Sequence, residues 1–285
     1  MAVLGLFLLV PFLQVQDRDI QKLVQDFVGG EEKARKELVG LGLRAIRPLL
    51  EARDLKPDKI DPLLLELKKA AAYPRGSQLL KKLEDKIDVK IEAEPFGAAV
   101  FASFRSAGIP VFIGRIDAGE LKAREVSLNL KGVPAREALD QICRLTGLDY
   151  AFFHNHVVLG TPGKLWPSAS ESRGSYGEPL WERQKRSADF DATLKQLRET
   201  KLDLSFQEAP LSDVVGWIEG LTGITFDIQE RDLKKPVTIE AKGQPLSDLL
   251  ALISQGMDLD FTIRKKGVVI DAPEVLKKTL EGAKR

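Results

Sequence analysis

From Lys201 to Pro273 the chain runs through a regular succession of apolar periodicities. Leu202, Leu204 and Phe206 alternate with Asp203, Ser205 and Gln207, the alternation of a half-buried strand. Pro210 stands where its fixed φ suits a helix start. Leu211, Val214, Val215, Ile218 and Leu221 then recur at helical spacing up to Gly223, which predicts an amphipathic helix closed by a glycine cap. Ile224–Ile228 and Val237–Ala241 read as two further strands. Pro245 opens a second helix with Leu246, Leu249, Leu250 and Ile253 on its apolar face. Leu259–Ile263 and Val268–Ile270 close the unit as strands joined by a tight turn at Arg264–Gly267. The order is β-α-β-β-α-β-β, an α+β unit with helices packed on a small sheet.

The same succession occurs earlier in the chain. Lys86-Ile-Asp-Val-Lys-Ile-Glu-Ala-Glu-Pro95 reappears as Lys201-Leu-Asp-Leu-Ser-Phe-Gln-Glu-Ala-Pro210, and Gly108-Ile109 as Gly223-Ile224. After a longer loop in the first copy, Val126–Pro134 matches Val237–Pro245, Leu148-Asp149-Tyr150 matches Leu259-Asp260-Phe261, and Val157-Val158 matches Val268-Val269. The identities fall on glycines, prolines and alternating apolar sites, the positions that define a fold. Ala99, Val100, Ala138, Leu139, Ile142 and Leu145 hold the helix-core positions of the first copy, with Ser103 and Ser106 weakening its first helix. Short helices, Ser77–Asp85 and Ala192–Thr200, lead into the two copies. Gly163–Arg186 concentrates Gly, Ser and Pro without periodicity, as linkers do, so the two copies are expected to fold separately.

The N-terminal third differs. Met1–Gln16 is apolar and gives way at once to Asp17-Arg18-Asp19, which predicts the hydrophobic core of an export signal. Asp17–Tyr73 carries helical stripes: Ala34, Leu38 and Leu41, a break at Gly42, then Leu43, Ile46, Leu49 and Leu50, and a third helix over Pro62–Ala72. The predicted layout is a signal peptide (1–16), a helical domain (17–76), a first unit (77–162), a linker (163–187), a second unit (188–273) and a charged tail (274–285).

Charge and composition narrow the function. Across 285 residues, 43 Lys and Arg face 42 Asp and Glu, a formal charge of +1, and the second copy is net acidic. That speaks against a nucleic-acid binder held by phosphate neutralisation, and neither copy carries the G-x-x-G loop of a KH module. The apolar run Ala2–Leu13 is too short for a mature membrane span. The single cysteine, Cys143, allows no intramolecular disulfide and no cysteine-based zinc site. It lies beside core Ile142, so a partly buried, inert thiol is expected.

His154-Asn155-His156 could place two imidazoles on one strand face, but the aligned Lys265 and Gly267 sit in a hairpin turn, so an exposed polar turn is expected. Gly160–Lys164 lacks the spacing of a phosphate loop, and no serine sits in G-x-S-x-G. Asp88 with Asp203, and Asp149 with Asp260, recur at repeated strand positions and are expected to be outward-facing structural residues. Lys131-Gly132 and Lys242-Gly243 read as turn chemistry. Trp166, Tyr176 and Trp181 either anchor the linker onto a neighbouring domain, the favoured alternative, or stack on a sugar or peptide. No catalytic, cofactor-binding or metal residue is assigned, no cofactor is expected, and the partner-binding residues stay unknown. The opposing expectation, cell-wall carbohydrate binding or carboxylate-based glycoside hydrolysis, calls for a paired carboxylate cleft at a domain junction.

The run from the first strand of the second copy through Pro210-Leu-Ser-Asp213, Leu221-Thr-Gly-Ile224, Pro236-Val-Thr-Ile239 and Gly243-Gln-Pro-Leu-Ser-Asp-Leu-Leu250 resembles the secretin and TonB N-terminus short domain. Both copies resemble it, and the second more closely. Glu31–Leu50 is similar to a single HEAT-type helical hairpin, and the combination is similar to exported planctomycete-type envelope proteins. The resemblance implies a periplasmic module for protein–protein contact, standing beside an outer-membrane barrel and holding no catalytic residues. The residues after Pro273 are too few for barrel strands, so the periplasmic modules alone are expected. The expectation is therefore a non-enzymatic, periplasmic or secreted interaction protein of the cell envelope. It would take its protein partner by strand addition to the second unit, bind no nucleic acid, and carry no integral membrane span in the mature chain.

Overall fold

The computed structural model describes residues 17–72, 79–114, 116, 125–166, 180–184, 186–264 and 267–282; the predicted signal segment lies outside them. Four helices come first: α1 Asp17–Gly29, α2 Glu32–Leu41, α3 Leu43–Glu51 and α4 Pro57–Ala70. Gly42, at φ 58°, makes the sharp break between α2 and α3 that a residue with a Cβ resists. The third predicted helix begins earlier than its periodicity suggested. Pro57 takes the first position, where its missing N–H costs nothing, and Pro62 lies inside the helix.

After the short α5 Leu79–Lys82, the first repeat runs β1 Lys86–Pro95, α6 Phe96–Arg105, β2 Val111–Ile113, β3 Glu125–Pro134, α7 Ala135–Thr146, β4 Asp149–Phe153 and β5 His156–Gly160. The short α8 Pro162–Leu165 and α9 Ala188–Glu199 precede the second repeat. That repeat runs β6 Lys201–Pro210, α10 Leu211–Thr222, β7 Thr225–Ile228, β8 Pro236–Pro245, α11 Leu246–Gly256, β9 Asp260–Arg264 and β10 Gly267–Asp271. The class is α+β with a helical N-terminal region. The residues expected to be a charged tail begin as a helix, α12 Pro273–Gly282, which buries Leu276. Among the described residues no helix is long and apolar enough to cross a membrane.

The two repeats agree in register as well as in order. β1 pairs antiparallel with β3 from Lys86 opposite Pro134, and β6 with β8 from Lys201 opposite Pro245, with bulges at the same places. Gly132 (φ 60°) and Gly243 (φ 61°) occupy the first bulge of each ladder, the left-handed position that a glycine bulge requires. Their N–H groups donate to Asp88 Oδ1 at 2.7 Å and to Asp203 Oδ1 at 2.6 Å. In each repeat the second strand lies parallel to the last, and the last antiparallel to the one before it.

The two repeats do not lie apart but share a sheet. β2 also pairs antiparallel with β8 of the second repeat, Phe112 opposite Ile239 and Ile113 opposite Thr238. One five-stranded sheet, ordered β4-β5-β2-β8-β6, therefore crosses from one repeat to the other, beside a two-stranded β1-β3 sheet and a three-stranded β7-β10-β9 sheet. One face of the first repeat's strands (Val111, Ile113, Tyr150, Phe152, Val157) packs with Leu139 and Ile142 of its own helix. The opposite face (Phe112, Ala151, Phe153, Val158) joins a core shared by the N-terminal helices and the second repeat. Strands buried on both faces read as continuous apolar runs, as Tyr150–Phe153 and Val157–Leu159 do.

The predicted linker is anchored at both ends, while residues 167–179, with Tyr176, lie outside the described residues. Trp166, Leu180 and Trp181 are buried, with Arg198 over the Trp181 ring. The Gln184 side-chain amide donates to Ile263 O at 2.6 Å and accepts from Ile263 N–H at 3.1 Å, closing the outer edge of β9 as a neighbouring strand would. Ser187 caps α9 by accepting from Phe190 N–H, which starts that helix earlier than its apolar pattern indicated.

Candidate functional site

Several residues singled out by sequence serve the architecture. Asp149 and Asp260, expected to face outward, are both buried. Asp260 accepts from Leu180 N–H at 3.2 Å and from Phe261 N–H at 2.8 Å. Asp149 accepts from Lys68 Nζ and Trp166 Nε1, so each repeat uses its aspartate to dock a flanking segment. Alignment finds such a position but does not show what packs over it. Asp88 and Asp203 are exposed as expected and hold the bulge glycines.

The Lys68–Asp149 pair belongs to a wider network at the junction of the helical domain and the first repeat. Lys68 Nζ sits 3.9 Å from the centroid of the Tyr150 ring. The Tyr150 hydroxyl donates to Asp140 at 3.1 Å. Arg53 reaches Asp61 and, at 3.4 Å, Asp140, and Arg144 reaches Asp61. Burial pulls the Arg53 guanidinium down, but the hydrogen bond and charge of Asp61, with Asp140 and Asp149 behind it, outweigh that and raise it. Burial, then the charges of Asp140 and Asp149, drives the Tyr150 hydroxyl well above its ordinary value. The junction thus gathers carboxylates, as the glycosidase alternative asked, but each is held by a cation or an indole.

His154 and His156, expected in an exposed turn, are buried. His154 (φ 43°) and Asn155 (φ 60°) form the tight β4–β5 turn, and its tip docks on the second repeat. His154 Nδ1 lies 3.1 Å from Asp248 in the first turn of α11. His156 Nδ1 is 2.8 Å from the His154 carbonyl oxygen. Burial lowers the His156 pKa to about 4, so its ring is neutral near pH 7. Among the described residues no group of three His, Cys, Asp or Glu side chains could hold a metal ion. Cys143 is fully buried rather than partly so, and burial, then Asp149, pushes its thiol well above the ordinary range, which keeps it protonated.

The open chemistry lies at the strand edges. β4 is buried beneath α4 and α8, and β9 is closed by Gln184. β6 is an outer strand, but its two bulges and Glu208 at φ 51° twist it away from regular pairing. β7 is an unbulged edge with one strand neighbour among the described residues, β10, and its residues alternate between exposed and half-buried. In the first repeat β1 and β3 pair only with each other among the described residues. The counterpart of β7 in that repeat is β2, and that same edge carries β8.

Phe226 N–H, on the open side of β7, donates to Glu219 Oε1 at 2.7 Å. The residue aligned with Glu219 is Phe104, which is buried and cannot cap an amide. Beside the edge, α10 exposes Trp217 (41%) and Leu221 (58%), with open space at Gly216 and Gly220. Trp217 makes an edge-to-face contact with Phe206. The helical pattern placed Leu221 in the core, and Leu145 likewise; both point to solvent, because periodicity marks a helix face without showing how far the sheet beneath it extends. In the first repeat the positions of Gly220 and Leu221 are Arg105 and Ser106, and Arg105 reaches across to Glu240 on β8.

An open groove of about 650 Å³ between α1 and α2 is rimmed by Asp19, Lys22, Asp26, Glu31, Lys33 and Glu37. Compared with known proteins, the chain matches no family model, no curated protein and no solved structure.

Proposed function

We propose that the chain is a non-enzymatic interaction or assembly module of the cell envelope, acting in the periplasm, and that it takes its protein partner by strand addition to β7. The observation that carries this is internal: β2 is completed by β8, and the same edge one repeat later carries no strand among the described residues. An added strand gains affinity from main-chain hydrogen bonds and specificity from alternate side chains. Here Phe226 and Ile228 offer the outward main-chain groups, and Trp217 and Leu221 an apolar flank.

Proline at position 228 removes one outward N–H at an edge, where proline is tolerated. In the full-length chain, Ile228→Pro should lower partner capture by in-cell cross-linking at least tenfold (about 1.4 kcal/mol) with the melting temperature held. Capture at the wild-type level by a folded variant would remove β7 from the account. A fragment of residues 187–285 is a poor substitute, because it exposes the β8 edge that β2 covers.

A further inference from the structure

The contact between the two repeats is heterologous: the β2 edge of one meets the β8 edge of the next. Such a contact can recur, since each repeat carries both surfaces. The forward surface of the second repeat, β7 with α10, carries no further strand among the described residues. The backward surface of the first repeat is β3, the counterpart of β8, which carries β1 on one side and no other strand among the described residues. We infer that these two ends meet between molecules, with β3 of a second copy of this chain adding to β7.

The inference rests on the strand-addition account of β7 and names its partner. The template specifies the register, because Ile113 pairs with Thr238 and Phe112 with Ile239. Ile228, the counterpart of Ile113, then falls opposite Ser127, the counterpart of Thr238, and Asp227, the counterpart of Phe112, falls opposite Leu128, the counterpart of Ile239. The ion pair of the template, Arg105 with Glu240, becomes Gly220 facing Asn129, a small residue opposite an exposed neutral one. That exchange leaves neither half of the ion pair behind, while Asp227, exposed on β7, keeps its carboxylate at the solvent side of the strand. Trp217 and Leu221 stand where the first repeat has Ala102 and Ser106 in sequence, and their large side chains face solvent on the helix beside this edge, available for apolar contact.

Glu219 tempers the contact. Its carboxylate already accepts the Phe226 N–H, so an incoming carbonyl must displace it. A heterologous contact closes into a ring if the rotation permits and otherwise extends as a filament. A contact made by one short strand and a flanking helix belongs to the weak, transient class of interfaces, so it is read over a series of rising protein concentrations.

The test is sedimentation equilibrium on the full-length chain and three variants, each checked for an unchanged circular dichroism spectrum and melt. Wild type should associate with rising concentration. Ile228→Pro and Leu221→Arg disable the β7 end and Asn129→Pro the β3 end; each alone should stay monomeric. An equimolar mixture of Leu221→Arg and Asn129→Pro still contains one intact end of each kind and should form dimers and nothing larger. Wild type that remains monomeric, or a mixture that fails to dimerise although wild type associates, overturns the inference. If wild type is monomeric while Ile228→Pro still loses its partner in the cross-linking experiment, self-association fails and strand addition at β7 stands.

Discussion

Lys68→Met should cost about 3–5 kcal/mol of unfolding free energy, the usual result of removing one partner from a buried ion pair. Lys68 is 2% exposed and Asp149 is wholly buried. The lysine is the cation facing that carboxylate, whose other oxygen is held by the neutral Trp166 indole. Its loss leaves a charge in the interior with one neutral donor. The pair also ties α4 of the helical domain to the first strand of the β4–β5 hairpin, so the damage should reach both. The double variant Lys68→Met/Asp149→Asn should recover part of the loss, because no uncompensated charge then remains. Urea unfolding of the singles and the double measures this. A loss below roughly 1 kcal/mol for Lys68→Met would mean that water reaches the pair.

The second large effect is a dependence on pH. Burial depresses His156 from 6.5 to about 4, so between those values the unfolded chain binds a proton that the folded chain does not. Stability therefore rises with pH across this window and is lost as pH falls through it. The full difference is roughly 3 kcal/mol, of which about 2 kcal/mol should appear between pH 7.5 and pH 5. His156→Phe, which cannot take up the proton, should show a smaller drop over the same interval when midpoints are compared at both pH values. An equal drop in the variant would assign the effect to other groups.

The repeat was legible because its signals are local. The alternation in Leu202–Phe206, the glycines of the bulges and the prolines before each helix define strand, turn and cap wherever they occur, and both copies carry them. What joined the copies was not legible. The β2–β8 pairing involves a three-residue strand, too short to reveal a second neighbour by its own pattern, and the continuous apolar runs of β4 and β5 hinted only that both faces are covered. Lys68 and Asp149 meet from 81 residues apart, and nothing periodic links them. The histidines misled for a related reason: alignment transfers the turn at His154-Asn155 but not the α11 helix that docks on it. Of the candidate site, the sequence carried the existence of an open edge in the second repeat. The location of that edge at β7, the Glu219 cap and the exposed Trp217 and Leu221 depend on which neighbours each strand acquires in three dimensions.

The central claim is that β2 and β7 are the same edge in two conditions, one completed within the molecule and one waiting for a strand from outside. Amide hydrogen exchange at Ile113 and Ile228, read in the same full-length sample, compares the two directly. The account predicts an Ile113 amide protected at every concentration, and an Ile228 amide that exchanges fast in dilute protein and slows as the chain is concentrated or its partner is added. An Ile228 amide already as slow as Ile113 in dilute protein, or one that stays fast in the concentrated and partner-bound samples, would contradict it.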